Sequence, residues 1–161
     1  MYMTDHEHWF REAIKDARQA SCRRRRCGSV IVKNNKVIGR GYNSPPLDIE
    51  THRRCDEPVD KYAKYPTDKT CCVHAEQRAM FDALRHHPAE LEGASLYFVS
   101  VDEEGKMLFS GQPYCTQCSK LALELGIASF GLWHEGGISV YSTDEYHALS
   151  WGSCIEQQDS V

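Results

Sequence analysis

At 161 residues the chain is long enough for one domain with a single sizeable core. Its formal net charge of −4 at pH 7 argues against a general nucleic-acid binder, which usually carries a basic balance, and no apolar run approaches the roughly 18 residues of a membrane span. The acidic, His-rich start Thr4-Asp5-His6-Glu7-His8 is no secretory signal, so the eight cysteines read as metal ligands and reduced thiols of a cytoplasmic protein rather than as an extracellular disulfide scaffold.

In chain order, residues 5–20 place Trp9, Phe10, Ala13, Ile14 and Ala17 at helical spacing, with Thr4 or Asp5 available as a cap. Residues 28–33 and 36–42 read as strands joined by Asn34-Asn35, which tolerate the positive φ of a tight hairpin. A polar loop over 44–70 follows, with four of the six prolines and no apolar period; a connection that long in a compact domain is usually functional or tied down by a metal. Residues 74–86 carry Ala75, Ala79, Met80, Ala83 and Leu84 at helical spacing. A strand at 94–101, a turn at 102–106 and a short strand at 107–110 come next. A helix over 115–125 has Leu121, Ala122 and Leu125 on one face and Gly126 as its stop signal. A strand at 127–133 and a short helix at 143–149 complete the order. Such alternation predicts a central sheet covered by helices in one domain over 1–152, with 153–161 as a flexible tail; there is no internal repeat.

Two helix starts carry the chemistry. His74-Ala75-Glu76 opens one and Cys115-Thr116-Gln117-Cys118 opens the other, so His74, Cys115 and Cys118 supply three zinc ligands and Glu76 a carboxylate that need not bind the metal. A structural zinc is closed by four protein ligands. Three keep a position open for water, whose pKa the metal lowers to about 7. The partial positive charge at each helix start also draws cysteine towards thiolate. Alone, C-x-x-C is more often a structural zinc knuckle or a redox pair, and a Glu in a first helical turn more often serves the helix dipole. Their coincidence, each after a strand-like run, points instead to hydrolytic zinc chemistry. An H-x-E followed by P-C-x-x-C is the signature of zinc-dependent nucleobase deaminases.

Over most of its length the chain resembles the cytidine deaminase superfamily, and within it the deoxycytidylate (dCMP) deaminase branch. Gly28-Ser29-Val30-Ile31-Val32, followed by Val37-Ile38-Gly39-Arg40-Gly41-Tyr42-Asn43-Ser44-Pro45-Pro46, looks like that branch's first hairpin and its G-Y-N-G-P-P segment. His74-Ala75-Glu76-Gln77 is similar to its H-A-E-x-N-A-I stretch, with Arg78 and Met80 in place of Asn and Ile. One departure touches the core motif: Tyr114 stands between Pro113 and Cys115, where the family has Pro directly before the first Cys, and this bears on the shape of the pocket wall.

The resemblance implies an α/β fold of three layers, α/β/α, around a central mixed sheet. It implies an enzyme of pyrimidine nucleotide metabolism that converts dCMP to dUMP with release of ammonia, hydroxide attacking C4 and Glu76 shuttling the protons. Asn43 and the backbone at Ala75 and Cys115 would line the substrate site, although Asn43 also reads as a turn residue beside Ser44-Pro45-Pro46. Arg23, Arg24, Arg25 and Arg26 would offer phosphate ligands, with a solvated basic turn as the plain alternative. In some members of the branch a second, structural zinc is held by the regions in or beside which Cys22, Cys55, Cys71 and Cys72 fall here; Cys22, Cys55 and Cys72 match best, with His52 as a fourth ligand, while Cys27 matches less well and Cys154 has no evident role. Tyr141, Tyr146 and Trp151 could stack on a base or close a subunit contact, but aromatics at such spacing are more often core. A homo-oligomer acting on a small-molecule nucleotide, away from membranes, is the expectation. Two other readings stand beside it: the same chemistry on guanine, a tRNA adenosine or single-stranded DNA or RNA, and a non-catalytic zinc-binding regulatory module.

Overall fold

The computed structural model describes residues 5–57 and 71–158, the last six as backbone only. Four helices, α1 (Asp5–Ala17), α2 (Ala75–His86), α3 (Thr116–Glu124) and α4 (Thr143–Gln158), surround six strands: β1 (Arg26–Lys33), β2 (Lys36–Tyr42), β3 (Ser95–Val101), β4 (Met107–Leu108), β5 (Ser129–His134) and β6 (Gly137–Ser142). The sheet runs β2-β1-β3-β5-β6, with β4 beside β3. β3 and β5 pair in parallel while the other pairs are antiparallel, so the sheet is mixed.

Alternation along the strands sorts the core into two faces. Val30, Val32, Val99 and Val101 turn one way and bury Trp9, Phe10, Ala13 and Ala17 of α1. Ile31, Leu96, Phe130 and Leu132 turn the other way, against Ala79, Met80 and Ala83 of α2, Cys118 and Ala122 of α3 and Tyr146 of α4. The result is the expected three-layer α/β/α arrangement. Asn34 and Asn35 take φ of 49° and 60°, closing the β1–β2 hairpin as the residue types predict. Gly39 and Gly41, two apart on β2 and so on one face, let the backbone of α2 lie directly against the strand. That contact places the start of α2.

Several bounds differ from the sequence reading. α1 ends at Ala17 rather than 20, β1 begins at Arg26, β4 ends at Leu108, and β5 covers Ser129–His134 rather than 127–133. The sequence reading has no strand at β6, whose residues are half-buried or exposed throughout, as suits an edge strand, so no buried apolar run marks it. α4 runs to Gln158 instead of ending near 149. Its extension is supported by packing on α3, where Lys120 Nζ lies 5.2 Å from the Trp151 ring centroid. Residues 58–70 of the expected long loop and 159–161 of the expected tail lie outside the described residues. Among the described residues no helix is long and apolar enough to cross a membrane.

Candidate active site

The two helix starts singled out in the sequence do meet. His74 is the N-cap of α2, held by its backbone N–H donating to Gln77 Oε1 at 3.1 Å, and Cys115 is the N-cap of α3 with Cys118 in the first turn. His74 Nδ1 lies 3.3 Å from Cys118 Sγ and 3.4 Å from Cys115 Sγ. Tetrahedral zinc with ordinary bond lengths separates a nitrogen and a sulfur ligand by about 3.6 Å, so the donor set fits that ion. The Cys115 thiol is drawn down to about 4 by its hydrogen bond to Cys118 and by His74, while Cys118 is pushed up by Cys115 and by burial.

Glu76 follows on α2 and is 6% exposed. Burial, reinforced by the neighbouring Cys115, pushes its carboxyl up to about 7. A buried carboxyl beside three metal donors, none of which it replaces, has the placement of a proton carrier. It faces a cavity of about 310 Å³ that His74, Ala75 and Cys115 also line. That volume is at the lower end of the range for small-molecule sites.

The same cavity is lined by a second thiol group. The sulfurs of Cys22, Cys55 and Cys72 lie within 4.8 Å of one another, as expected for a second metal. Cys71 lies beside two of them, its Sγ 3.2 Å from that of Cys55 and 3.9 Å from that of Cys72, but is not one of the mutually close set. His52, the expected fourth ligand, is exposed at the end of a 3-10 turn and lies outside the group, which among the described residues consists of the three cysteines. The Cys22 thiol is drawn down to about 5 by its bond with Cys72. Cys27 is buried on β1, which pushes its thiol up to about 12.

The arginine run divides. Arg24 and Arg25 line the cavity. Arg23 instead pairs with Asp56 and Glu50, and Arg26 donates to the carbonyls of Arg18, Ala20 and Glu103. Arg54, which sequence reasoning missed, lines the cavity too. Nothing in its local sequence distinguishes it from Arg53, which bonds Glu50 and Ser21. Asn43 reaches the wall, but its side chain bonds the protein itself: Oδ1 accepts from Cys27 N–H at 2.8 Å and Nδ2 donates to the Arg25 carbonyl at 2.7 Å. It therefore ties the start of β1 to the arginine segment, in addition to any contact with a ligand.

None of the three aromatics considered for stacking lines the cavity. Tyr146 is core, stacked on Phe130 with centroids 4.1 Å apart; Tyr141 bonds His134; Trp151 donates to His147 on the α4 surface. The aromatic walls are Phe98 and Tyr114. Tyr114 had a signal in the sequence, since it is the residue inserted between Pro113 and Cys115.

The family described as "Cytidine and deoxycytidylate deaminase zinc-binding region" matches residues 3–132. A deoxycytidylate deaminase of Mycobacterium phage D29 is 31% identical over 127 residues, covering 75% of this chain and 88% of the relative. A longer deoxycytidylate deaminase of Schizosaccharomyces pombe is 27% identical over 114 residues, 69% of this chain and 31% of that protein. Among solved structures, the dCMP deaminase of cyanophage S-TIM5 in complex with dCMP and dUMP is 20% identical, with a TM-score of 0.56 and 81% of each chain covered. The cytidine deaminase of Burkholderia pseudomallei is 23% identical, with a TM-score of 0.54, over 89% of this chain and 96% of that one. These two likenesses are of fold.

Proposed function

The chain belongs to the cytidine and deoxycytidylate deaminase family, and from that membership we propose that it is a zinc-dependent enzyme that hydrolyses dCMP to dUMP and ammonia. The observation that carries the reading is the buried Glu76 beside an open three-donor group in one small cavity. A binding module has no use for that carboxylate. His74, Cys115 and Cys118 hold the catalytic zinc, which when bound supplies the Lewis-acid chemistry that activates water at neutral pH. Glu76 would take one proton from the attacking water and pass it to N3 of the cytosine ring, then take the second proton from the hydroxyl now on C4 and deliver it to the amine, which leaves as ammonia while the C4 carbonyl of dUMP forms. The backbone at Ala75 and the side chain of Asn43 line the base and sugar. Arg24 and Arg25, joined by Arg54, face the 5′ phosphate, whose charge they complement through paired hydrogen bonds.

Cys22, Cys55 and Cys72 would hold a second zinc that ties the arginine segment and the loop bearing Arg54 to the entry of α2. The chain forms one catalytic domain that runs through α4, works in the cytoplasm and assembles as a homo-oligomer. Light scattering reads the assembly, and metal analysis of the purified protein should return two zinc ions per chain.

The deciding experiment is ammonia release by zinc-loaded protein against dCMP, CMP, deoxycytidine, cytidine and guanine in parallel, with Glu76→Ala as control. Preferential dCMP turnover, lost in the variant while its metal content is kept, is the expected result. Equal turnover by Glu76→Ala would sink the mechanism. Silence on every small molecule would move the assignment to a polynucleotide substrate or to a regulatory zinc protein.

A further inference from the structure

We propose that Tyr114 is the base-binding wall of this site, the pyrimidine ring packing against its aromatic face. The proposal rests on the reading of the cavity as a cytosine-nucleotide site. Tyr114 is 56% exposed, although the residues on either side are anchored: Pro113 is fully buried and Cys115 is the N-cap of α3. Its backbone is therefore held at both ends while its ring stands in the cavity that Glu76 and Cys115 line. A large ring left open to water inside a concave site is surface that a bound ligand can cover.

Two further observations single out this ring. Phe98, the other aromatic wall, already packs against the core formed by α2, α3 and the sheet, so less of its face is available. Arg25, Glu76 and Cys115 line the same cavity as Tyr114, so the residue shares its walls with the arginine segment, the catalytic carboxyl and a metal donor. A cytosine presented to Glu76, with its phosphate at Arg25, lies in that interval. An aromatic face suits it because stacking accepts the flat ring of the base without demanding hydrogen-bond partners.

The test uses the zinc-loaded full chain with Tyr114→Phe, Tyr114→Leu and Tyr114→Ala. Two readouts are taken: steady-state kinetics on dCMP and deoxycytidine, and calorimetric binding of dUMP and of deoxyribose 5-phosphate. Loss of one base–aromatic stack weakens binding by roughly 5- to 150-fold. Tyr114→Ala and Tyr114→Leu should raise KM and weaken dUMP binding in that range, alike for nucleotide and nucleoside, and leave deoxyribose 5-phosphate binding unchanged. Tyr114→Phe should stay within about twofold of the parent. Tyr114→Leu keeps the bulk without the ring, so it separates stacking from simple filling of space. The proposal is overturned if the Leu variant binds dUMP as the parent does, if Tyr114→Phe is as damaged as Tyr114→Ala, or if deoxyribose 5-phosphate is weakened in step with dUMP. A parent protein that neither deaminates dCMP nor binds dUMP overturns the underlying assignment, a different result from an active parent indifferent to Tyr114.

Discussion

Replacing Gly41 by alanine puts a methyl group where the backbone of α2 already is. An ideal Cβ at this position lies 2.1 Å from the Ala75 carbonyl oxygen and 2.5 Å from the Ala79 amide nitrogen. Ordinary contact begins near 3.4 Å, so the helix must withdraw from β2 by about 1 Å. Both obstacles are main-chain atoms, which cannot swing aside as a side-chain tip can. Overpacking of this kind costs about 1–3 kcal/mol. The functional cost is larger, because Ala75 sits between His74 and Glu76, and the cysteines that complete the metal group are on α3 and do not follow. A misplacement of about 1 Å at a reacting centre can cost on the order of 100-fold in rate. Urea unfolding and kcat/KM on dCMP, measured on Gly41→Ala beside Gly136→Ala, test the argument. Nothing lies within 4 Å of a Cβ at Gly136, and that variant should be close to neutral. Gly41→Ala with parental stability and parental kcat/KM would refute the claim that this contact places the catalytic helix.

Arg24→Ala should raise KM for dCMP about tenfold and leave deoxycytidine unaffected, whereas Arg23→Ala, which loses only exposed pairs with Asp56 and Glu50, should change neither; equal effects would show that the run acts as one surface patch. Asn43→Ala leaves the buried Cys27 N–H and the Arg25 carbonyl without their partner and should cost about 1–3 kcal/mol in urea unfolding, so an unchanged midpoint would relegate Asn43 to ligand contact alone. In metal-stripped protein the Glu76 carboxyl, raised from 4.5 to about 7, favours the fold when protonated; that contribution is complete below about pH 4.5 and is lost as pH rises through about 7. Stability of the stripped protein should therefore fall across that window, and Glu76→Gln should flatten the slope. Cys27, its thiol pushed up to about 12, should resist alkylation at pH 8 in the folded protein and react on unfolding.

What could be read from residues alone was whatever depends on near neighbours. The β1–β2 hairpin follows from Asn34-Asn35, and the helices from apolar spacing that needs no knowledge of the partner surface. The metal donors were legible for a similar reason. Each half of the set lies within one turn of a helix start, and the residue types restrict the chemistry even before the two halves are brought together.

What was not legible depended on contacts between distant segments. Four adjacent arginines look alike in sequence; only the positions of Asp56, Glu50, Ala20 and Glu103 decide that Arg23 and Arg26 are engaged elsewhere while Arg24 and Arg25 line the cavity. Arg54 reaches the same cavity from a different loop, and His52 stays outside the thiol group although only two residues separate it from Cys55. β6 and the extension of α4 hold through pairing with β5 and packing on α3, and neither partner marks the local composition. The sequence by itself determined the chemistry available and most of the elements that carry it, because both are encoded over a few residues. Tertiary structure alone decided which of several equivalent side chains meet, because that choice depends on how the layers pack.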